Sequence, residues 1–477
     1  MSPLVDLTEL TRGLSGSADV LDKATGAVLA TVGVADVANL HVAVAMARDA
    51  QPEWAATPPA RRAEVVRTAA KLLESHRDEV EDWLVRESGG IRGKAAHEVG
   101  AAVDELWTAA ALATQPHGRL LAAEPGRQSI GRRVPLGVVG VISPWNMPLL
   151  LAMRALAPAL ALGNSVVLKP DLHTPVAGGF VIAELFRRAG LPSGVLHVLP
   201  GDAEPGEALV SHPDVAMIAF TGSTAVGRLI GETAGRALKR VSLELGGNGA
   251  YLVLDDADVE AASAAGAWAS FFHQGQVCMA AGRHIVHRGV AEEYLDKLAK
   301  RAAELRVGDP FTQDVEIGPV INQAQLARID RIVRESVEAG AELLTGGTAD
   351  GPFYAPTVLS RVTPDMPAFH EEIFGPVAPV IVVDSDDEAV ALANRTEYGL
   401  SAAIQTASVH RGRGIADRLR TGMVHINDQT INDEAHVPFG GRGASGNGSR
   451  HGAEHSWDEF TQWQWLTVRD EPAHYPF

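Results

Sequence analysis

The chain has a single cysteine, Cys278, in 477 residues. One thiol makes neither an intrachain disulfide nor a cysteine-based zinc site, so Cys278 is either a small apolar filler or a nucleophile. Basic residues are also in deficit: 41 Lys and Arg stand against 59 Asp and Glu, a net charge of −18. Such a surface repels nucleic-acid phosphates and anionic membranes, so neither is an expected partner, although a local basic pocket remains compatible with it. Long unbroken apolar runs are missing. The most apolar stretch, Leu149 to Leu168, contains Arg154, Pro158, Gly163 and Asn164, a charge and breakers that oppose membrane insertion. It reads as a helix, a stop at Gly163 and a short strand from Ser165 to Leu168. Met1 to Asp19 lacks the basic start, apolar run and small-residue cleavage site of an export signal, so a cytoplasmic location is expected. No internal repeat and no low-complexity tract is present.

The length exceeds one ordinary core and predicts two or three domains. Two early segments read as amphipathic helices. In the second, Val65, Val66, Ala69, Leu72, Leu73, Val80, Trp83 and Leu84 share one face. From Gly137 onward, β-rich runs alternate with helical patterns: Val138 to Ile142, Ser165 to Leu168, Val195 to Val198, Met217 to Phe220 and Arg240 to Leu243. This spacing predicts parallel βαβ units with helices on both faces, an α/β fold. A second alternation follows Gly247, with strands near Ala250 to Leu254, Arg283 to His287 and Val377 to Val383, so Cys278 falls early in a second α/β domain. Ser129 to Val134 and Gln462 to Val468 read as strands outside both series, of the kind that pairs with another subunit.

Several motifs bear on chemistry. Gly441, Gly443 and Gly446 match the dinucleotide pattern Gly-x-Gly-x-x-Gly, but no strand precedes and no helix follows, so the segment reads as a loop. Phe220 to Gly227 follows an apolar strand and opens a helical pattern; its backbone N–H groups suit a pyrophosphate, although Ser-Thr at a helix start is also ordinary capping. His451-Gly452-Ala453-Glu454-His455 has the spacing of an inverted zinc-peptidase motif, but that motif needs a regular helix and a third ligand. Here it follows a glycine-rich loop and reads as solvated histidines; no metal site is expected. Glu244, where a strand ends in Leu-Gly-Gly, projects toward the crevice in which α/β sheets bind ligands, or is a solvated turn glutamate. Asn146, after the strand Val138 to Ile142, is an oxyanion donor or an N-cap.

Taken together, these residues resemble the NAD(P)-dependent aldehyde dehydrogenase superfamily. The matching string is Pro144-Trp145-Asn146, Lys169-Pro170, Gly222-Ser223-Thr224, Glu244-Leu245-Gly246-Gly247, Gly275-Gln276-Val277-Cys278, Glu371 to Pro376, and Pro438-Phe439-Gly440-Gly441, in family order over almost the whole chain. The resemblance implies a Rossmann-like cofactor domain (1–117 and 136–247), a second α/β catalytic domain (248–444) and a small β oligomerisation arm (118–135 and 445–477) in a homodimer or homotetramer. It assigns Cys278 as nucleophile, Asn146 as oxyanion donor and Glu244 as general base. It places Trp145, Lys169, Gly222, Ser223, Glu372 and Phe374 around the cofactor. Glu244 as a base favours hydrolysis of a thioester over transfer to coenzyme A, and the presence of Cys278, Glu244 and Asn146 together argues against a catalytically silent relative.

Where many NAD-preferring members carry a glutamate for the adenine ribose, three residues after the ribose lysine, this chain has Leu172. Leucine does not repel a 2′-phosphate, so NADP is expected to be accepted alongside NAD, unless Asp171 reaches across. The segment Ile426 to Gly441 and the run Cys278 to His284 resemble the benzaldehyde and vanillin dehydrogenase branch. By family position Met147, Leu151, Phe272 and Phe439 line an aldehyde tunnel for a flat ring, or simply pack a core. Arg154 on that wall holds a phenol or carboxylate, or makes a structural salt bridge. The expected substrate is an aromatic aldehyde; a semialdehyde is the alternative.

Overall fold

A computed structural model of the chain describes residues 3–11 and 13–477. Its first sheet has five parallel strands in the spatial order Leu196–Val198, Ser165–Lys169, Val138–Ile142, Val215–Thr221, Arg240–Glu244. Alternate strand residues enter two different apolar layers. Val139, Val141, Val166, Leu168 and Met217 meet the helix Pro148–Ala161 on one face, while Val138, Val167 and Ile218 meet Leu40 and Val44 of the helix Val37–Ala56 on the other. That doubly covered parallel sheet is what the continuous Val/Ile runs predict. The strand order reverses between Val138–Ile142 and Val215–Thr221, so the crevice beyond their carboxyl ends is the topological switch point where such sheets bind ligands.

The second sheet has seven strands in the order Glu342–Thr345, Thr357–Ser360, Val377–Val383, Ala281–His287, Gly249–Val253, Ser401–Gln405, Met423–Ile426, parallel except for the first pair. The two arm strands pair with each other. Arg127–Pro135 and Thr461–Arg469 pair antiparallel along their whole length, with Gly118–Leu120 on the far side of the first.

Two local expectations are corrected. The apolar stripe from Val65 to Leu84 belongs to two helices, Pro59–Ser75 and Arg77–Ser88, broken at His76, whose ψ of 21° leaves the helical region. The stripe continues across the break because both helices pack on the same core. His451 is not solvated: it is buried, its Nε2 lies 3.0 Å from Ser242 Oγ, and burial pushes its imidazole down to about 3. The Leu149–Leu168 reading stands, with Gly163 at φ +92° between helix and strand. Among the described residues no helix is long and apolar enough to cross a membrane.

Candidate active site

The strand Arg240–Glu244 ends the first sheet and Gly249–Val253 begins the second, so Leu245-Gly246-Gly247-Asn248 carries the chain from one sheet to the other. The two glycines are required by close approach. A Cβ on Gly246 would lie 2.2 Å from Glu372 Oε2, and one on Gly247 would lie 2.3 Å from the Cys278 carbonyl oxygen. Glu372 is held there by the Gly247 N–H, 2.8 Å from its Oε1.

Cys278 sits between the tight turn Phe272–Gly275 and the strand Ala281–His287. His273 and Gln274 have φ of 50° and 57°, a left-handed backbone that costs about 1–3 kcal/mol per residue and survives only when its surroundings over-determine it. Here three side-chain amides do so. Gln274 Nε2 donates to the carbonyls of Gly89 and Pro319 at 2.8 Å, Gln276 Oε1 accepts from Ile321 N–H at 3.0 Å, and Asn146 Nδ2 donates to the Gln276 carbonyl at 2.9 Å. Asn146 is thus not an N-cap; the helix Pro148–Ala161 starts at Met147 without a side-chain cap.

A cleft of about 330 Å³ opens at the switch point. Cys278, Asn146, Trp145, Leu151, Gly222, Ser223, Glu372 and Phe374 all wall it. Trp145 and Phe374 meet edge to face, centroids 5.4 Å apart. Ser223 caps the helix Thr224–Arg236, accepting from Val226 N–H at 3.4 Å, so capping and an open N-terminal set of amides coexist at one place. Lys169 stands off this wall with Nζ donating to the Gly201 carbonyl at 2.7 Å, and burial lowers its ammonium below the ordinary range. Asp171 is engaged by His173: burial works against its charge, but the imidazole and N–H of His173 outweigh that and hold the carboxyl low.

Charge in the site is costly. Cys278 keeps part of its surface open, yet desolvation, then the Glu372 carboxylate, push its thiol up to about 12. Burial likewise raises Glu372 to about 7, partly offset by the Gly247 N–H. Glu244 is buried with neither carboxylate oxygen hydrogen-bonded, and desolvation raises it well above the carboxylate range. The Gly441 N–H approaches the carboxylate without forming a well-shaped hydrogen bond. On the opposite side of Cys278, Met147, Leu151, Phe272 and Phe439 join Leu150, Val277, Met279 and Leu400 in one apolar cluster. Arg154 is tied down. Its Nε donates to Glu105 Oε1 at 3.1 Å, its Nη2 pairs with Asp433, and its guanidinium lies 4.3 Å over the Phe439 ring.

Residues 11–466 match the sequence model of the aldehyde dehydrogenase family. The chain belongs to the aldehyde dehydrogenase family. Among other members it is 55% identical over 463 residues to the benzaldehyde dehydrogenase (NAD(+)) of Pseudomonas putida, covering 97% of this chain and 95% of that one. It is 53% identical over 467 residues to a vanillin dehydrogenase of an Amycolatopsis species, covering 98% and 96%. An NAD+ complex of the Bacillus cereus aldehyde dehydrogenase superposes with a TM-score of 0.92 at 34% identity, covering 95% of this chain and 94% of that one. The enzyme is an NAD(P)-dependent aldehyde dehydrogenase, and its cleft suits a dinucleotide: a helix N-terminus for phosphate, aromatic faces for a flat ring and the Glu372 carboxylate for hydroxyls.

Three cleft residues escaped the sequence. Gln325, Arg328 and Tyr398 also wall it. Gln325 Nε2 donates to the carbonyls of Ile373 and Phe374 at 3.0 and 2.9 Å, and Arg328 Nη2 to that of Glu372 at 2.7 Å. They lie on an amphipathic helix, Gln323–Glu338, or a loop, and nothing in their neighbours distinguishes them from surface positions.

Proposed function

We propose that this aldehyde dehydrogenase oxidises aromatic aldehydes, of the benzaldehyde and vanillin type, to their acids. The observation that carries the reading is the position of Cys278, which walls the cleft and packs against the apolar cluster of Met147, Leu151, Phe272 and Phe439. The cluster suits a flat ring, and the relatives named for benzaldehyde and vanillin are those most similar in sequence among the ones compared above. Arg154, the cation packed over Phe439, is already paired with two carboxylates, which counts against a semialdehyde with a distal carboxylate.

In the proposed cycle the Cys278 thiolate forms a carbon–sulfur bond to the aldehyde, and the carbonyl π pair moves to oxygen. The second amide hydrogen of Asn146 and the backbone N–H of Cys278 stabilise that oxyanion. A nicotinamide held near Trp145 and Phe374 would supply the acceptor for the hydride that the aldehyde carbon loses as its carbonyl re-forms, so that Cys278 is left carrying the acyl group as a thioester. Glu244 then takes a proton from water; the oxygen adds to the thioester, and the sulfur leaves as thiolate. With neither oxygen hydrogen-bonded within the protein, the Glu244 carboxylate has both lone-pair sets free to receive that proton. Lys169 and Glu372 would hold the riboses, Gly222 and Ser223 the pyrophosphate, and Trp145 and Phe374 the nicotinamide end. Leu172 sets no carboxylate against a 2′-phosphate, so both NAD and NADP serve. The residues divide into a cofactor domain (1–117 and 136–247), a catalytic domain (248–444) and an arm (118–135 and 445–477). The arm presents Leu121, Trp463 and Trp465 to solvent on one side of its sheet, an apolar face suited to a dimer or tetramer.

The test is reduced-nicotinamide absorbance with benzaldehyde, vanillin and succinic semialdehyde, each against NAD and NADP. Turnover of the aromatic aldehydes is expected; turnover of the semialdehyde alone would overturn the substrate reading, and failure with NADP would overturn the cofactor reading.

A further inference from the structure

A second cavity, about 610 Å³, lies beyond the apolar cluster. Leu150 and Ala101 belong to both, so the cavity continues the apolar side of Cys278 outward. Its wall is acidic. Asp104, Glu105, Asp433 and Glu434 line it against one arginine, Arg154, together with His97 and His436. Arg154 is buried, and its Nε and Nη2 are taken, by Glu105 from the helix Arg92–Leu112 and by Asp433 from the loop after Met423–Ile426. Asp433 Oδ2 takes the guanidinium, while Oδ1 is buried without any hydrogen-bond partner. A buried acceptor with nothing to accept is expensive, by about 1–3 kcal/mol, and a donor brought by a ligand would relieve it. The field reaches the nucleophile: Arg154 and Asp433 both act on the Cys278 thiol, in opposite directions.

We propose that the Glu105–Arg154–Asp433 cluster is a charge filter at the outer end of the aldehyde passage. It rejects aromatic aldehydes carrying a carboxylate and admits those whose ring is neutral or bears a hydrogen-bond donor, which Asp433 Oδ1 receives. The repulsive element does the selecting, because an arginine alone at this place would attract an anion and the two carboxylates cancel that attraction. This rests on the aromatic-aldehyde reading above.

The experiment compares kcat/KM for benzaldehyde, 4-hydroxybenzaldehyde and 4-formylbenzoate in the wild type, Asp433→Asn, Glu105→Gln and the pair Asp433→Asn/Arg154→Met. Freeing one edge of Arg154 in Asp433→Asn is expected to raise 4-formylbenzoate relative to benzaldehyde at least about tenfold, Glu105→Gln to act in the same direction, and the added Arg154→Met to cancel the gain. The preference for 4-hydroxybenzaldehyde over benzaldehyde should shrink in Asp433→Asn. A relative efficiency for 4-formylbenzoate unchanged in both carboxylate variants overturns the filter. Where a variant does not fold, the wild type decides: its kcat/KM for 4-formylbenzoate should fall at least about tenfold below that for the uncharged methyl 4-formylbenzoate, and equal values overturn the proposal. Absence of benzaldehyde turnover in the wild type is a different result, one that overturns the aromatic reading itself and the filter with it.

Discussion

Cys278 separates two regions built on opposite principles. The cleft side is made of backbone at strand ends: the Ser143–Asn146 turn, the amides opening the helix Thr224–Arg236, and glycines that let Glu372 and the Cys278 carbonyl come close. Desolvation raises the pKa of its acidic groups, Cys278 and Glu372. The other side is made of side chains from separate segments, Met147 and Leu151 from the start of one helix, Phe272 from the nucleophile turn, Phe439 from the C-terminal loop, with the Arg154 guanidinium over Phe439. The difference teaches where chemistry and selectivity are written. Chemistry needs positions fixed to fractions of an ångström and uses the backbone; selectivity needs a shape and a field, and uses side chains that packing can exchange.

Removing the nucleophile should break the comparison outright. Cys278→Ala is expected to lose at least about 10⁴-fold in kcat with every aldehyde, while nucleotide binding, measured by fluorescence titration, stays near the wild-type value. Full activity would remove Cys278 from the mechanism. Asn146→Ala should cost about 10²–10³-fold in kcat for all aldehydes alike, as loss of one oxyanion donor does. A change in KM alone would assign Asn146 to holding the Gln276 carbonyl and nothing more. Leu172→Glu on the cofactor side should lower kcat/KM for NADP by about tenfold or more and leave NAD within about twofold, by placing a carboxylate against the 2′-phosphate; equal effects on both would contradict the assignment.

The smallest effect concerns the free thiol. With its pKa pushed to about 12, the alkylation rate of Cys278 by iodoacetamide should climb across the whole range from pH 6 to pH 9 without levelling, because the reactive thiolate is the minor form throughout. Glu372 is the second cause of that shift, after desolvation. Removing its charge in Glu372→Gln lowers the thiol pKa, so alkylation at neutral pH should accelerate by about threefold. An unchanged rate would show that the carboxylate does not act on the sulfur.

The same contrast explains what could be read from the chain itself. All five strands of the first sheet and three of the seven in the second were legible as short β-rich runs, while Glu342–Thr345, Thr357–Ser360, Ser401–Gln405 and Met423–Ile426 were not read; the strand-end positions of Cys278, Glu244 and Asn146 were legible because each follows or precedes a strand end marked by glycine or proline. The break at His76 was hidden, since the apolar stripe runs through it unaltered. His451 was misjudged because its neighbours in sequence are glycine and polar residues, whereas what buries it is Ser242 and Phe460, distant along the chain. Glu105 and Asp433 carried no signal: a carboxylate on a helix or in a loop looks like surface until the fold sets it against Arg154. The arm strands were found, but their mutual pairing depends on bringing residues 127–135 and 461–469 together, which no local pattern encodes.

The central claim is that Cys278 carries the acyl group and Glu244 releases it. The most direct measurement is rapid mixing of Glu244→Gln with benzaldehyde and NAD, followed by intact-mass spectrometry of the quenched protein. The account predicts a burst of reduced nicotinamide close to one per site, a steady rate lower by about 10²–10⁴-fold and a benzoyl adduct on Cys278. Unaltered steady turnover with no adduct would contradict it.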